Sequence, residues 1–349
     1  MSETHSNSPG WSRRATLKLV GAASLAPFAA SPVLSKPAQL VFASGGGALE
    51  EAYRQSVFAA WQKSSGIAIT TTSNPAAKLK AMVEQKQVEW DVMQGPAELL
   101  VVLARQGLLE PIDYSVVKKD GLVPGGAREH FVLTDFAAYH IAWNTKSLKG
   151  SPPRSWNEAF GHTGRIGLWK QPYQTLEVAL LADGVAKDKL YPLDVERALK
   201  SLARIKDKIA WWSTGAQGAQ LILDGEVDIC AIWNGRIYGP KMGGAPVDYD
   251  FNQAVFVSDA WGVPKGAPNV KESMQLIALE MTAEPQAAFA KAIPYGPTNL
   301  AALKLIDAKL MGDLPSSDAN FSKGVMLDID YWADNGAKVV ERFNQWLLG

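Results

Sequence analysis

The sequence is short of most of the parts from which chemistry is built. Cys230 is its only cysteine, so an intramolecular disulfide and a thiolate metal cluster are both excluded. The four histidines, His5, His130, His140 and His162, lie far apart, and no HExxH or CxxC spacing occurs. There is no G-x-S-x-G elbow, no G-x-x-x-x-G-K-S/T loop and no G-x-G-x-x-G fingerprint. Gly45-Gly46-Gly47 lacks the lysine and the spacing of a nucleotide loop. The carboxylates are scattered, so paired acid/base catalysis has no candidate. Charge of one sign is also missing: 35 Lys and Arg balance 35 Asp and Glu, and a protein that grips nucleic acid needs a basic excess. No apolar run approaches the roughly 20 residues of a membrane span. The expectation is therefore no catalytic residue, no metal, no cofactor and no nucleic-acid partner.

What is present is a chain of 349 residues, 47% hydrophobic and 20% charged, enough for about two domains with buried cores. Residues 1–11 are polar. Ser12-Arg13-Arg14-Ala15-Thr16-Leu17-Lys18 then resembles a twin-arginine export signal, with Thr16 where a larger apolar residue is more usual. A short apolar stretch from Leu19 to Ala30 and the small residues Ala29, Ala30 and Ser31 complete the order of an export peptide. Residues 1–35 are read as that signal, with cleavage between Ala30 and Ala38. The mature protein would be soluble, periplasmic and nearly neutral.

From there strands and helices alternate. Leu40–Ala43 reads as a buried strand. Leu49, Tyr53, Val57 and Trp61 recur every four residues in a helix that Gly66 stops. Ile67–Thr72 and Asp91–Met93 read as strands, with Asn74-Pro75 opening the helix between them. This β-α-β-α-β order predicts parallel strands covered by helices. A second set begins at Arg165–Trp169 and includes strands Ile209–Trp212 and Val227–Trp233 with a helix over 216–223. Four helical segments are expected near 270–281, 285–292, 299–310 and 337–347. Glu50-Glu51 reads as first-turn acids favoured by the helix dipole, and Asp328 and Asp330 as a solvated loop or a helix cap. Two α/β lobes facing one another make a cleft that can close, with ligands at the carboxyl ends of strands.

Four segments then carry a family resemblance. Asp224-Gly225-Glu226-Val227, running on to Trp233-Asn234-Gly235, is similar to a segment of bacterial solute-binding proteins, in the spermidine/putrescine branch of ABC-importer receptors. Gly107–Asp113, Ser258–Pro264 and Tyr295-Gly296-Pro297-Thr298-Asn299 resemble further segments of that family, in the same order. The resemblance implies a type II periplasmic binding protein fold, two α/β lobes with a hinge and an interlobe cleft. Lobe one would hold 38–141 and 262–305, and lobe two 142–261 and 306–349. Hinge strands would lie near Tyr139–Asn144 and Ala254–Pro264. The partners it implies are a small-molecule ligand and the membrane permease of an ABC importer, for a protein expected to be a monomer.

For the ligand, the resemblance assigns Trp233 to stacking on a methylene chain, Asp259 to an ammonium and Tyr295 to closing the box. A cation gains from an aromatic face and needs a carboxylate when desolvated. Two carboxylates of the polyamine receptors fall here near Gln171 and Gln174, beside Lys170, so a dication would lose counter-charge. In place of their aromatic-rich first loop stands Ser44-Gly45-Gly46-Gly47, read as an anion nest ahead of a helix, with Arg236 as a second anion contact. Trp212, Ser213 and Gln217, at a strand-to-helix turn, complete the predicted site. One carboxylate and one anion site predict a zwitterion, such as an ω-amino acid or an aminophosphonate. The alternatives are an iron or other metal-ion receptor of the same fold, which needs clustered Tyr, His or carboxylates, and an exported enzyme carrying a cofactor.

Overall fold

The computed structural model describes residues 38–349; the expected export signal lies outside them. Ten strands form one hydrogen-bonded sheet: β1 (Gln39–Ser44), β2 (Ala68–Ser73), β3 (Val92–Pro96), β4 (Val132–Asn144), β5 (Ile166–Trp169), β6 (Ile209–Trp212), β7 (Ile229–Trp233), β8 (Val247–Gly262), β9 (Gly296–Pro297) and β10 (Val325–Met326). Their order is β2-β1-β3-β8-β4-β7-β5-β6, with β9 on β4 and β10 on β8. β1, β2 and β3 are mutually parallel, as are β5, β6 and β7. The long antiparallel pair β4 and β8 stands between the two sets and is antiparallel to each.

That arrangement follows from composition. The inner parallel strands are short and largely apolar, because helices cover both sides, whereas the edge strand β2, Ala68–Ser73, is threonine-rich and half-exposed. Ala138–Ile141 of β4 and Ala254–Phe256 of β8 pack in the core around β5–β7, whereas Val132, Ala137 and Trp261 pack in the core around β1–β3. Trp233 and Val257 lean against both cores. The final helix, Ile329–Leu348, buries Trp332, Val339 and Phe343 in the β5–β7 core. Its Asp330 and Asp334 pair with Arg105 and Arg128, which belong to the other half of the sheet.

Several expectations need correction. The central strands run longer than their apolar stretches: β4 begins at Val132 and β8 at Val247. Thr134, Asp135, Asp248, Asp250 and Asn252 interrupt the apolar pattern there, yet Thr134 and Asp135 find partners with Tyr53, and Asp250 accepts from the Asn252 N–H at 2.7 Å. β8 is irregular between Asp250 and Val255, where Gln253 takes a left-handed φ of 57°. Asn74 does not cap the helix Ala76–Glu84; Pro75 holds that place, and the Asn74 amide donates to the Gln94 carbonyl at 2.6 Å. The expected helix over 299–310 is a 3-10 segment, Leu300–Leu305, then a short helix, Ala308–Met311. The last helix starts at Ile329 rather than near Ala337, because Asp328 accepts from the Tyr331 N–H at 2.9 Å and caps it. The helix from Gly47 to Ser65, with one π turn at Arg54–Phe58, ends as expected at Gly66 with φ 75°.

Candidate ligand-binding site

A cleft of about 550 Å³ opens where the two strand sets meet. Its walls are built from strand ends and helix starts. β3 supplies Gln94, Gly95 and Pro96, and the first turn of the helix Ala97–Arg105 supplies Glu98. β8 supplies Ser258 and Asp259, with Asp259 opposite Pro96 in the ladder. β5 and β7 end in Trp169 and Trp233, and the helix Asn234–Met242 begins immediately after with Arg236.

The Trp-Asn-Gly turn shows how local sequence sets this geometry. Asn234 is buried; its Oδ1 accepts from the Ala138 N–H at 3.0 Å and its Nδ2 donates to the Pro294 carbonyl at 2.5 Å. It thus knits the turn to β4 and to the segment before Tyr295. Gly235 must lack a side chain, because a Cβ there would lie 2.6 Å from the Tyr295 ring and 3.0 Å from Ile293. Tyr295 can therefore reach the cleft. Trp233 presents its ring to the cleft and meets Trp169 edge-on at 4.9 Å and Trp212 at 5.2 Å.

Arg236 lies over Gly215, where an added Cβ would be 2.7 Å from its Nε. Among the described residues it forms no ion pair, and its Nε is buried without a hydrogen-bond partner. A buried guanidinium nitrogen left unpaired is a strong demand for an acceptor.

Asp259 sits on the opposing wall. Gln94 donates to its Oδ1 at 2.8 Å. Burial pushes its carboxyl up to about 6, against the pull of that hydrogen bond. Behind it, Asp135 is paired across the β4–β8 ladder. The Tyr53 hydroxyl donates to Asp135 at 3.2 Å, yet burial, and then Asp259, hold the Asp135 carboxyl well above its ordinary range. Glu98 is driven up to about 7 by burial, with Asp259 adding to the effect. Such a wall favours an incoming cation.

Six of the eleven predicted residues line the cleft: Gly45, Gly46, Trp233, Arg236, Asp259 and Tyr295. The other five do not. Ser44 is buried, donates to Glu50 and accepts from the Gly46 N–H at 3.2 Å. The Gly45 N–H is directed to Gln94 Oε1 at 3.3 Å. The expected anion nest is thus corrected: the N–H groups of Gly45 and Gly46 are engaged within the protein, and Gly47 opens the helix that runs to Ser65, with Glu50 in its first turn. Trp212 is fully buried behind the wall. Ser213 and Gln217 are exposed and bond each other at 2.8 Å at the start of the helix Gly215–Leu223.

Sequence reasoning missed Trp169, Gln94, Glu98 and the lining role of Gln174. Trp169 and Trp212 are register partners on β5 and β6, and β5 is the strand nearer the cleft. The signal was the strand order, which the chain does not display locally. Gln174 stood out for its place; it is buried at a φ of 55° with its Oε1 unpaired. Among the described residues no group of three or more His, Cys, Asp or Glu side chains is placed to hold a metal ion.

The family model for bacterial extracellular solute-binding proteins matches residues 56–315. The chain belongs to that family. The gamma-aminobutyric acid-binding protein of Pseudomonas aeruginosa is 32% identical to this solute-binding protein over 88% of this chain and 90% of its own length. Among solved structures, the Atu4243 GABA receptor superposes with a TM-score of 0.84 at 36% identity, covering 88% of this chain and 97% of the other. AgtB from A. tumefaciens R10, in complex with agropinic acid, superposes with a TM-score of 0.80 at 36% identity, covering 90% and 100%. The fold is accordingly that of the periplasmic binding proteins.

Proposed function

We propose that this chain is the periplasmic receptor of an ABC importer for a small zwitterion of the ω-amino acid class, which it captures and hands unchanged to a membrane permease. The observation that carries this reading is the unpaired Arg236 guanidinium in the same cleft as Asp259. Arg236 takes the ligand carboxylate, Asp259 takes the ammonium, and Trp233 packs against the methylenes between them. Tyr295 narrows the site at the Gly235 turn. A diamine would instead bring a second ammonium to an unpaired guanidinium, which like-charge repulsion disfavours. The relatives that bind gamma-aminobutyrate support the same class. The chain acts as an exported monomer, residues 1–35 serve as a twin-arginine signal, and the cleft closes as the half built on β1–β3 approaches the half built on β5–β7 about β4 and β8. Ile306, Leu310 and Leu314, packed with Ala287, Ala290 and Ala302, move with the first half. An iron-receptor reading lacks a ligand set in this cleft.

Calorimetry on a matched set tests the reading. 4-Aminobutanoate should bind at least tenfold tighter than 1,4-diaminobutane, which shares its four-carbon chain. Tighter binding of the diamine overturns the zwitterion assignment. Agropinic acid belongs in the same titration series; if it binds tighter than both, the ligand is an opine.

A further inference from the structure

Glu98 is the one ionisable side chain in the cleft that the reading above leaves without a task. It stands in the first turn of the helix Ala97–Arg105, with its side chain half-buried and lining the cleft. No described side chain forms a hydrogen bond or an ion pair with it. The groups around it can be named element by element. From β8 comes Asp259, which lines the same cleft and is the ladder partner of Pro96, two residues before Glu98, and β3 offers only uncharged Gln94, Gly95 and Pro96. The final helix, packed on the same helix, has Asp330 and Asp334 committed to Arg105 and Arg128. Two groups that do not line the cleft also act with it: fully buried Glu177, whose Oε1 is held by Tyr191 and Trp332, and the Tyr173 phenol, on which Glu98 acts. Arg236 shares the cleft but does not pair with Glu98. Glu98 thus stands among carboxyls, at the Asp259 end.

We propose that Glu98 is a specificity-determining residue, the second carboxyl of the ammonium subsite, and that the ligand's ammonium displaces a proton from it on binding. Two desolvated carboxyls near one another do not readily ionise together while the cleft is empty. An ammonium placed between them supplies the missing countercharge and takes the proton's role. The exchange balances: the ligand arrives as R–NH3+, Glu98 gives up H+ to water, and no bond of the ligand changes. The upward displacement of the Glu98 carboxyl to about 7 by burial and Asp259 puts this exchange near neutral pH. The sign follows. The ammonium favours the ionised carboxyl, so affinity is full above neutrality and falls as pH drops through the carboxyl's range, by up to tenfold per pH unit for one proton. Ligands that offer a neutral head in place of the ammonium gain nothing from Glu98, which is how it selects.

This inference rests on the amine-binding reading, but not on the choice between zwitterion and diamine. The experiment measures 4-aminobutanoate and 1,4-diaminobutane binding from pH 5.5 to 8.5, in buffers of differing ionisation enthalpy, for the wild type and Glu98→Gln. Both amines keep their ammonium charge across that range. In the wild type, affinity should rise with pH with a bend near 7, and heats should report release of about half a proton at pH 7, rising toward one at lower pH. Glu98→Gln should bind about tenfold weaker at pH 8.5, lose the bend near 7, and keep only the lower dependence of Asp259. Thermal melting of the variant separates loss of subsite from loss of fold, and the wild-type proton count stands without any variant. A wild-type profile flat between pH 6.5 and 8.5 with no proton released overturns the proposal, as does a proton release that Glu98→Gln leaves intact. If the diamine wins while the proton release persists, the zwitterion reading falls and this one stands. Binding of neither amine at any pH overturns both.

Discussion

The two walls of the cleft are made differently. On the side of β5 and β7 the surface is indole: Trp169 and Trp233, backed by the buried Trp212, with centroids 4.9 to 6.0 Å apart. On the side of β3 and β8 it is carboxyl and amide: Asp259 and Gln94, flanked by Glu98, with Asp135 and Glu280 buried behind. The indole rings pack on one another, yet this side also holds two groups buried without a partner, the Arg236 Nε and the Trp212 Nε1. The carboxyl wall is unsatisfied in the opposite sense. One oxygen of Asp135 and both of Glu280 are buried without a partner, and burial, with Asp135 adding, drives the Glu280 carboxyl well above its ordinary range. The contrast teaches that one wall supplies area, shape and, at Arg236, a place for an anion, while the other supplies an electrostatic demand that a cation satisfies.

The comparison can be broken from either side. The largest effect should come from Asp259→Asn, which leaves a ligand ammonium desolvated beside an amide. Removing one partner of such a pair costs about 2–5 kcal/mol, so calorimetry should show affinity reduced by about thirtyfold or more, with thermal stability unchanged or raised. Loss of less than threefold would show that the charge wall is not what holds the amine. Trp233→Ala should cost less, about 1–3 kcal/mol from lost burial of the ligand's methylenes, and its loss should be similar for ligands with and without an ammonium. A loss confined to ammonium ligands would mean that the ring acts on the charge and not on the chain. Gln217→Ala should have the smallest effect. Its side chain only accepts from the Ser213 N–H at an exposed helix start, so affinity should stay within about twofold and stability within about 0.5 kcal/mol. A tenfold loss of affinity would place this turn in the closed cleft.

Much of this was legible in the chain because local rules apply to local features. Runs such as Leu40–Ala43 and Ile229–Trp233, the four-residue spacing of Tyr53, Val57 and Trp61, and Gly66 at a left-handed φ each state their element without outside help. The Trp-Asn-Gly turn was legible as a ligand-side feature, and the cleft does contain Trp233 and Arg236. What stayed hidden depends on pairing between distant segments. Gln94 is one polar residue in a buried strand until β8 brings Asp259 to within 2.8 Å of it. Glu98 looks like any acid in a first turn. The glycines after β1 suggested free N–H groups, yet two of those groups are spoken for by Ser44 and Gln94, side chains whose direction only the assembled sheet fixes.

The three indoles carry a consequence outside energetics. Trp169 and Trp212 lie with their rings 18° from parallel, and both meet Trp233 at more than 70°. Chromophores so close exchange excitation, so their near-ultraviolet circular dichroism belongs to the group and not to any one ring. Only Trp169 and Trp233 of the three line the cleft. A ligand touching them alters the optical signature of all three, and the protein thereby carries its own optical gauge of occupancy, readable without a label.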